Sequence, residues 1–240
     1  MDPTTAVMPD DWHRALLIMA HPDDAEYGAA AAVAQWGAAG KEICYVLATR
    51  GEAGIAGMDP AQASAVRTEE QRSACSRVGV HQLEFLDYPD GRLEQSLELR
   101  RDLARSIRRH RPDGIITMHF GQTWGRGRWN SADHRALGIA VLDAVADAAN
   151  EWIFPELSDQ GLAPHAGVGW VAVASPAPTH WVDVSAESCE RATESLSEHV
   201  QYLRALSDDP VEVQARRQVE MVTGGPEGSR RRVGFELYSM

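Results

Sequence analysis

Basic residues are scarce beside acidic ones in this 240-residue chain: 23 Lys and Arg stand against 35 Asp and Glu, a formal net charge of -12. That balance repels polyanions, so nucleic acid is excluded as the expected partner, and the short Arg230 to Arg232 cluster reads as a solvated turn. Cysteine is also scarce. Cys44, Cys75 and Cys189 are odd in number, widely spaced and free of any Cys-x-x-Cys pair, which argues against a redox or thiolate-zinc site and fits a reducing cytoplasm. No long hydrophobic run follows the polar first thirteen residues; Ala15 to Ala20 is too short for a signal-peptide core or a membrane span. Internal repeats are missing, and so is any Pro/Gly-rich linker through the middle, which disfavours a solenoid and a second domain. The expectation is one domain over residues 1–240, with a core at about 14–206 and weakly patterned tails at 1–13 and 207–240.

What the chain does contain is an alternation of short apolar runs with longer segments of helical period. This pattern predicts an α/β fold, a Rossmann-like, mostly parallel twisted sheet with helices on both faces. Strands are expected at Ala15 to Met19, Ile43 to Ala48, Leu83 to Leu86, Gly114 to Met118, Trp170 to Ala174 and Trp181 to Val184. Helices are expected from Asp24 to near Gly40, Ala63 to Val78, Leu97 to His110, Ala132 to about Asn150, and Ala186 to Leu206.

Ligands of open parallel sheets bind beyond the carboxyl ends of the strands, so the residues just after each strand carry the interest. His21-Pro22-Asp23-Asp24 follows the first strand, where a dinucleotide-binding protein would carry Gly-x-Gly-x-x-Gly; a nucleotide-dependent oxidoreductase therefore loses its main support. Across a proline-fixed turn, His21 and Asp24 can converge on one cation while Asp23 points elsewhere. Two such ligands and a third from a distant segment make the open site of a hydrolytic zinc centre. The plainer alternative makes Asp24 a helix N-cap and His21 a strand-end residue. The second cluster, Asn130-Ser131-Ala132-Asp133-His134, opens the helix after the fourth strand. His134 is the natural third ligand there, and Asp133 can orient a neighbouring imidazole, although Ser131 as N-cap and Asp133 as a first-turn charge account for the same residues.

Ala20-His21-Pro22-Asp23-Asp24-Ala25-Glu26, Ala48-Thr49-Arg50-Gly51-Glu52-Ala53-Gly54 and the helix-opening Asp133-His134 together resemble the PIG-L/LmbE-like N-deacetylases. The resemblance spans about residues 14 to 206. It implies zinc, or another divalent metal, held by His21, Asp24 and His134, with Asp23 as general base. It further implies a substrate contact for Arg67, within Arg67-Thr68-Glu69-Glu70, and a histidine facing the site at His199-Val200-Gln201. Asp90 is a further candidate for binding substrate hydroxyls, and the loop tryptophans Trp124 and Trp129 can stack on a sugar face or serve as packing anchors. One position departs from the family pattern. Ser131 stands where a histidine is usual, which leaves the source of the acid open and turns attention to His199 and His119.

The activity implied is hydrolysis of the acetamide of a small N-acetylated sugar conjugate, N-acetylglucosamine-like, or of a related N-acyl metabolite. Two alternatives stay open: a thiol-conjugate amidase that cleaves a larger amide, and a non-catalytic metal- or sugar-binding protein. The expected partner is a small N-acylated molecule; a homo-oligomer is compatible with the sequence.

Overall fold

The computed structural model describes residues 6–125, 127–224 and 230–240; residues 1–5 and 225–229, the remainder of the two expected tails, and Arg126 lie outside the described residues. Strand β1 (Arg14–Met19) opens the fold, and every residue from Ala15 to Ala20 is buried. Such an unbroken apolar run belongs to a strand covered on both faces, where each fully buried Leu or Ile contributes about 2 kcal/mol. Then come α1 (Asp24–Gly28), α2 (Ala30–Ala38), β2 (Glu42–Leu47), α3 (Pro60–Arg77), β3 (Gln82–Phe85), α4 (Leu97–His110) and β4 (Gly114–Met118). The second half comprises α5 (Ala132–Ala149), α6 (Pro155–Asp159), β5 (Trp170–Ala174), β6 (His180–Asp183), α7 (Ala186–Ser197), α8 (Val200–Leu206), α9 (Val211–Thr223) and β7 (Arg232–Ser239).

The strands form one seven-stranded sheet in the order β3-β2-β1-β4-β5-β7-β6. The first five are parallel, and β7 runs antiparallel to both β5 and β6. The general right-handedness of such crossovers puts the helices that carry the chain outward from β1 to β3 on one face and those that carry it back through β4 to β5 on the other. Accordingly α4 packs along α5, while α7 packs against α2, α3 and α9. The strand order reverses between β1 and β4, the kind of point beyond whose carboxyl ends open parallel sheets bind their ligands.

Helix α4 and strands β4 and β5 fall on the expected residues, but three expectations change. The helix after β1 is divided at Ala29, whose φ of -130° leaves the helical region. The last long helix is divided too, with His199 at the N-cap of α8 (φ -78°, ψ 55°), because the stretch between α7 and α8 turns inward and buries His199 completely. The weakly patterned tail carries α9 and an interior strand, β7, whose Val233 and Phe235 point into the core.

Candidate metal centre and active site

The turn after β1 does two things at once. Asp23 adopts a left-handed conformation (φ 83°, ψ -25°), which costs a non-glycine residue about 1–2 kcal/mol. Local bonds hold it there: the Asp23 amide donates to Gln71 Oε1 on α3 at 2.9 Å, and the Tyr27 amide donates to the Asp23 carbonyl at 2.9 Å. As a result the two adjacent carboxylates diverge, Asp24 towards two imidazoles and Asp23 towards a buried arginine.

Asp24 Oδ2 accepts the His21 amide at 2.7 Å and lies 3.2 Å from His21 Nδ1, while its Oδ1 lies 3.1 Å from His134 Nε2. His21, Asp24 and His134 each offer one ligand atom, all within 4.8 Å of one another. The hydrogen-bond partners behind the rings decide which nitrogen faces inward. His21 Nε2 is 3.1 Å from both Asp90 Oδ1 and Asp133 Oδ2, so it carries a proton and leaves Nδ1 facing Asp24. His134 Nδ1 is 3.2 Å from Asn130 Oδ1, an oxygen that can only accept, so Nδ1 carries the proton and Nε2 turns its lone pair to Asp24. Two ring lone pairs and a carboxylate therefore converge. Acceptors at such separations repel unless a proton or a cation lies between them, and this donor set, two imidazoles and one carboxylate, fits a divalent metal.

The electrostatics agree. Burial works against a charged Asp24, but His134 and His21 outweigh it and hold the carboxyl well below the usual carboxylate range. Burial likewise works against a charged His21, yet Asp24, Asp133 and Asp90 raise its pKa well above the ordinary value. In the metal-free protein a proton on His21 thus takes the place a cation would claim. Asp133 is held hard: its oxygens also accept the Gly91 amide at 2.7 Å and the Leu93 amide at 3.1 Å. Asp90, which accepts the Ala53 amide at 2.9 Å, ties the Gly-rich loop after β2 to the same imidazole.

Asp23 is 4% exposed and outside this cluster of ligand atoms. Its Oδ2 accepts from Arg67 Nη2 at 2.8 Å. Burial pushes its carboxyl up and Arg67 pulls it back, leaving it at about 6. Arg67 is 2% exposed, donates also to the carbonyls of Pro22 at 2.5 Å and Gly51 at 3.1 Å, and lies 4.3 Å over the ring of Tyr202. Arg67, for which the resemblance implies a substrate contact, here donates through Nη1 and Nη2 to Asp23 and two backbone oxygens, and its buried Nε has no partner. Gly51, with φ 66°, sits so close that a Cβ there would meet the Arg67 guanidinium at 2.1 Å.

His199 is not brought to the imidazole pair. It is fully buried, its Nε2 3.5 Å from Glu26 Oε2, and neither ring nitrogen makes a hydrogen bond. Glu26 in turn accepts from Gln71 Nε2 at 3.2 Å and Ser195 Oγ at 3.3 Å. Gln71 joins this buried group to the Asp23 backbone amide. Ser131 caps α5, its Oγ accepting the His134 amide at 3.3 Å. His119 Nε2 lies 3.0 Å from the Thr123 carbonyl, an acceptor that requires Nε2 to be the donor. On the same loop Trp124, 36% exposed, stands 5.0 Å from the His119 ring and 6.2 Å edge-on to His134.

Asn130 and Glu26 stand inside the sequence motifs without an assigned role, and Gln71 and Tyr202 are not among the sequence candidates. A signal existed for Gln71, which lies one turn after Arg67 on α3 and so shares its face. Asn130 stands four residues before His134, close enough along the chain for the two to meet at the start of α5, whereas no spacing rule points to Tyr202.

Residues 16–145 match the PIG-L family, described as GlcNAc-PI de-N-acetylase. A diacetylchitobiose deacetylase of Thermococcus kodakarensis is 28% identical over 73% of this chain and 65% of its own length. A 1D-myo-inositol 2-acetamido-2-deoxy-alpha-D-glucopyranoside deacetylase of Kineococcus radiotolerans is 38% identical over 58% of this chain and 48% of its own. The chain thus spans about half to two thirds of the length of these curated relatives. The solved N,N'-diacetylchitobiose deacetylase from Pyrococcus horikoshii superposes with a TM-score of 0.81 at 24% identity, over 95% of this chain and 84% of that one, which shows the fold.

Proposed function

The chain belongs to the PIG-L family, and from that premise we propose that it is a zinc-dependent N-deacetylase that hydrolyses the acetamide of a small N-acetylated sugar conjugate. The observation that carries this reading is the convergence of His21 Nδ1, Asp24 and His134 Nε2 within 4.8 Å, beside a buried carboxylate, Asp23, that takes no part in it. His21, Asp24 and His134 would hold the metal, and Asp133 and Asp90 would orient His21. A divalent cation bound there supplies a Lewis acid for the amide carbonyl and lowers the pKa of water from about 15.7 towards about 7.

The remaining chemistry belongs to side chains of this chain. Asp23, at about 6, is largely ionised at neutral pH yet basic enough to accept the proton of the attacking water, and its carboxyl can return that proton to the departing amine. Arg67 fixes the angle of this carboxylate through the 2.8 Å bond and keeps it from being fully protonated by burial. Gln71 fixes the backbone on which it stands, and the buried His199, beside Glu26, adds a smaller pull that favours the ionised Asp23. Trp124 and the two-thirds exposed Trp129 form a rim on which the apolar face of a sugar ring can stack, at about 1 kcal/mol for such a contact. The three cysteines, free and buried, are compatible with a cytoplasmic location, and no helix among the described residues is long and apolar enough to cross a membrane.

The test is acetate release by zinc-reconstituted protein across N-acetylated monosaccharides, disaccharides and sugar conjugates, with Asp23→Asn in parallel. The reading requires acetate from at least one sugar substrate and a variant that keeps its zinc while losing turnover. Release of some other acid without acetate would favour an amidase, and a metal-loaded protein with no turnover at all would favour a binding role.

A further inference from the structure

Asn130 is fully buried, immediately before the α5 N-cap, and all its hydrogen-bonding capacity is engaged. Its Nδ2 donates to the carbonyls of His119 at 2.8 Å and Gly121 at 2.9 Å. Both are acceptors, so the carboxamide has one orientation only. Its Oδ1 then faces the Ser131 amide at 2.9 Å and His134 Nδ1 at 3.2 Å. That oxygen excludes a lone pair on Nδ1 and thereby directs the lone pair of Nε2 at Asp24, 3.1 Å away. His21 and His134 are supported differently: His21 by two carboxylates, His134 by one neutral amide.

We infer that Asn130 is a positioning residue for metal binding, setting the tautomer and ring angle of His134 with its oxygen while its nitrogen pins the β4–α5 loop that carries His119 and Trp124. The inference rests on the metal reading of His21, Asp24 and His134 but goes beyond it, because it assigns the selection of the ligating nitrogen to a residue outside the ligand set. Partners behind a metal-bound histidine are typically worth about 10- to 100-fold in metal affinity. The two ends of the side chain have separable effects. Asn130→Asp keeps an acceptor against His134 Nδ1 and loses both bonds to the loop carbonyls. Asn130→Leu, of similar size, loses everything.

The experiment is titration of metal-free protein with Zn²⁺ in competition with a chromophoric chelator, and with Co²⁺ read by its visible bands, for wild type, Asn130→Asp and Asn130→Leu. The expected result is affinity about 10- to 100-fold weaker in Asn130→Leu and within about threefold of wild type, or tighter, in Asn130→Asp, whose backing now resembles that of His21. In both variants amide hydrogen exchange over residues 119–124 should quicken. A purely structural role predicts that Asn130→Asp suffers as badly as Asn130→Leu; that result, or wild-type affinity in Asn130→Leu, overturns the inference. If Asn130→Leu does not fold, Asn130→Asp decides alone, by keeping or losing its metal while the loop loosens. A wild-type protein that binds neither ion sinks the metal reading itself, a distinguishable failure.

Discussion

Replacing Asp23 by asparagine should stabilise the metal-free protein while abolishing its turnover. Asp23 is almost wholly buried, and its carboxyl rises from 3.8 to about 6 on folding, chiefly through burial, with Arg67 opposing. A raised carboxylate pKa means that the folded chain holds the proton more tightly than the unfolded chain. Stability therefore falls as pH rises through the window from 3.8 to about 6, and the full loss is present at neutral pH. At about 1.36 kcal/mol per pKa unit the loss is about 3 kcal/mol at pH 7.5 and about half of that at pH 5. Asparagine, neutral at every pH and able to accept from Arg67 through Oδ1, escapes it. The assay is urea unfolding of chelator-treated wild type and Asp23→Asn at pH 7.5 and pH 5. With a slope of about 3 kcal/mol per molar urea for a chain of this size, the midpoint should rise by about 1 M at pH 7.5, and the gain should shrink towards acid pH. An Asp23→Asn variant no more stable than wild type at pH 7.5, or a gain that grows on acidification, would refute the claim that a functional carboxylate is kept ionised here against its surroundings.

His134→Ala should weaken Zn²⁺ binding by at least about 100-fold, since it removes one of three ligands, and atomic absorption after dialysis checks it; retention of one zinc per chain contradicts the ligand set. Trp124→Ala should raise KM for an N-acetylated disaccharide about fivefold, as expected for about 1 kcal/mol of stacking, with kcat held; steady-state kinetics with equal effects on kcat and KM would count against a stacking role. Arg108→Met should lower stability by about 3 kcal/mol without touching kcat per folded molecule, because the buried guanidinium joins the carbonyls of Asp147 and Ala148 in the last turn of α5 to those of Asn150, Ile153 and Leu162 in the segment that follows; a denaturation midpoint equal to wild type would show those carbonyls satisfied by other means.

Several features were open to sequence reasoning because their cause is local. Apolar runs such as Ala15 to Met19 announce strands covered on both faces, whereas β7 carries only the short alternation Val233, Phe235, Leu237, which does not stand out as a strand within the weakly patterned tail. The His21 to Asp24 turn carries its own geometry, since proline and a three-residue spacing bring imidazole and carboxylate together. The division of the long helix at His199 left no trace: no glycine or proline marks it. It arises where Ser195 turns to Glu26 and to the Ala74 carbonyl, bonds between residues 169 and 121 positions apart.

Residue order alone determined the fold class, the strands that form the parallel half of the sheet and the small set of side chains able to share a cation, because periodicity and turn chemistry act over a few residues. Tertiary structure decided the contacts around them. That Arg67 meets Asp23 and the carbonyls of Pro22 and Gly51, and that His199 lies beside Glu26, depends on which distant atoms come within reach. A hydrogen bond falls away over a fraction of an ångström, a scale on which spacing along the chain carries no information.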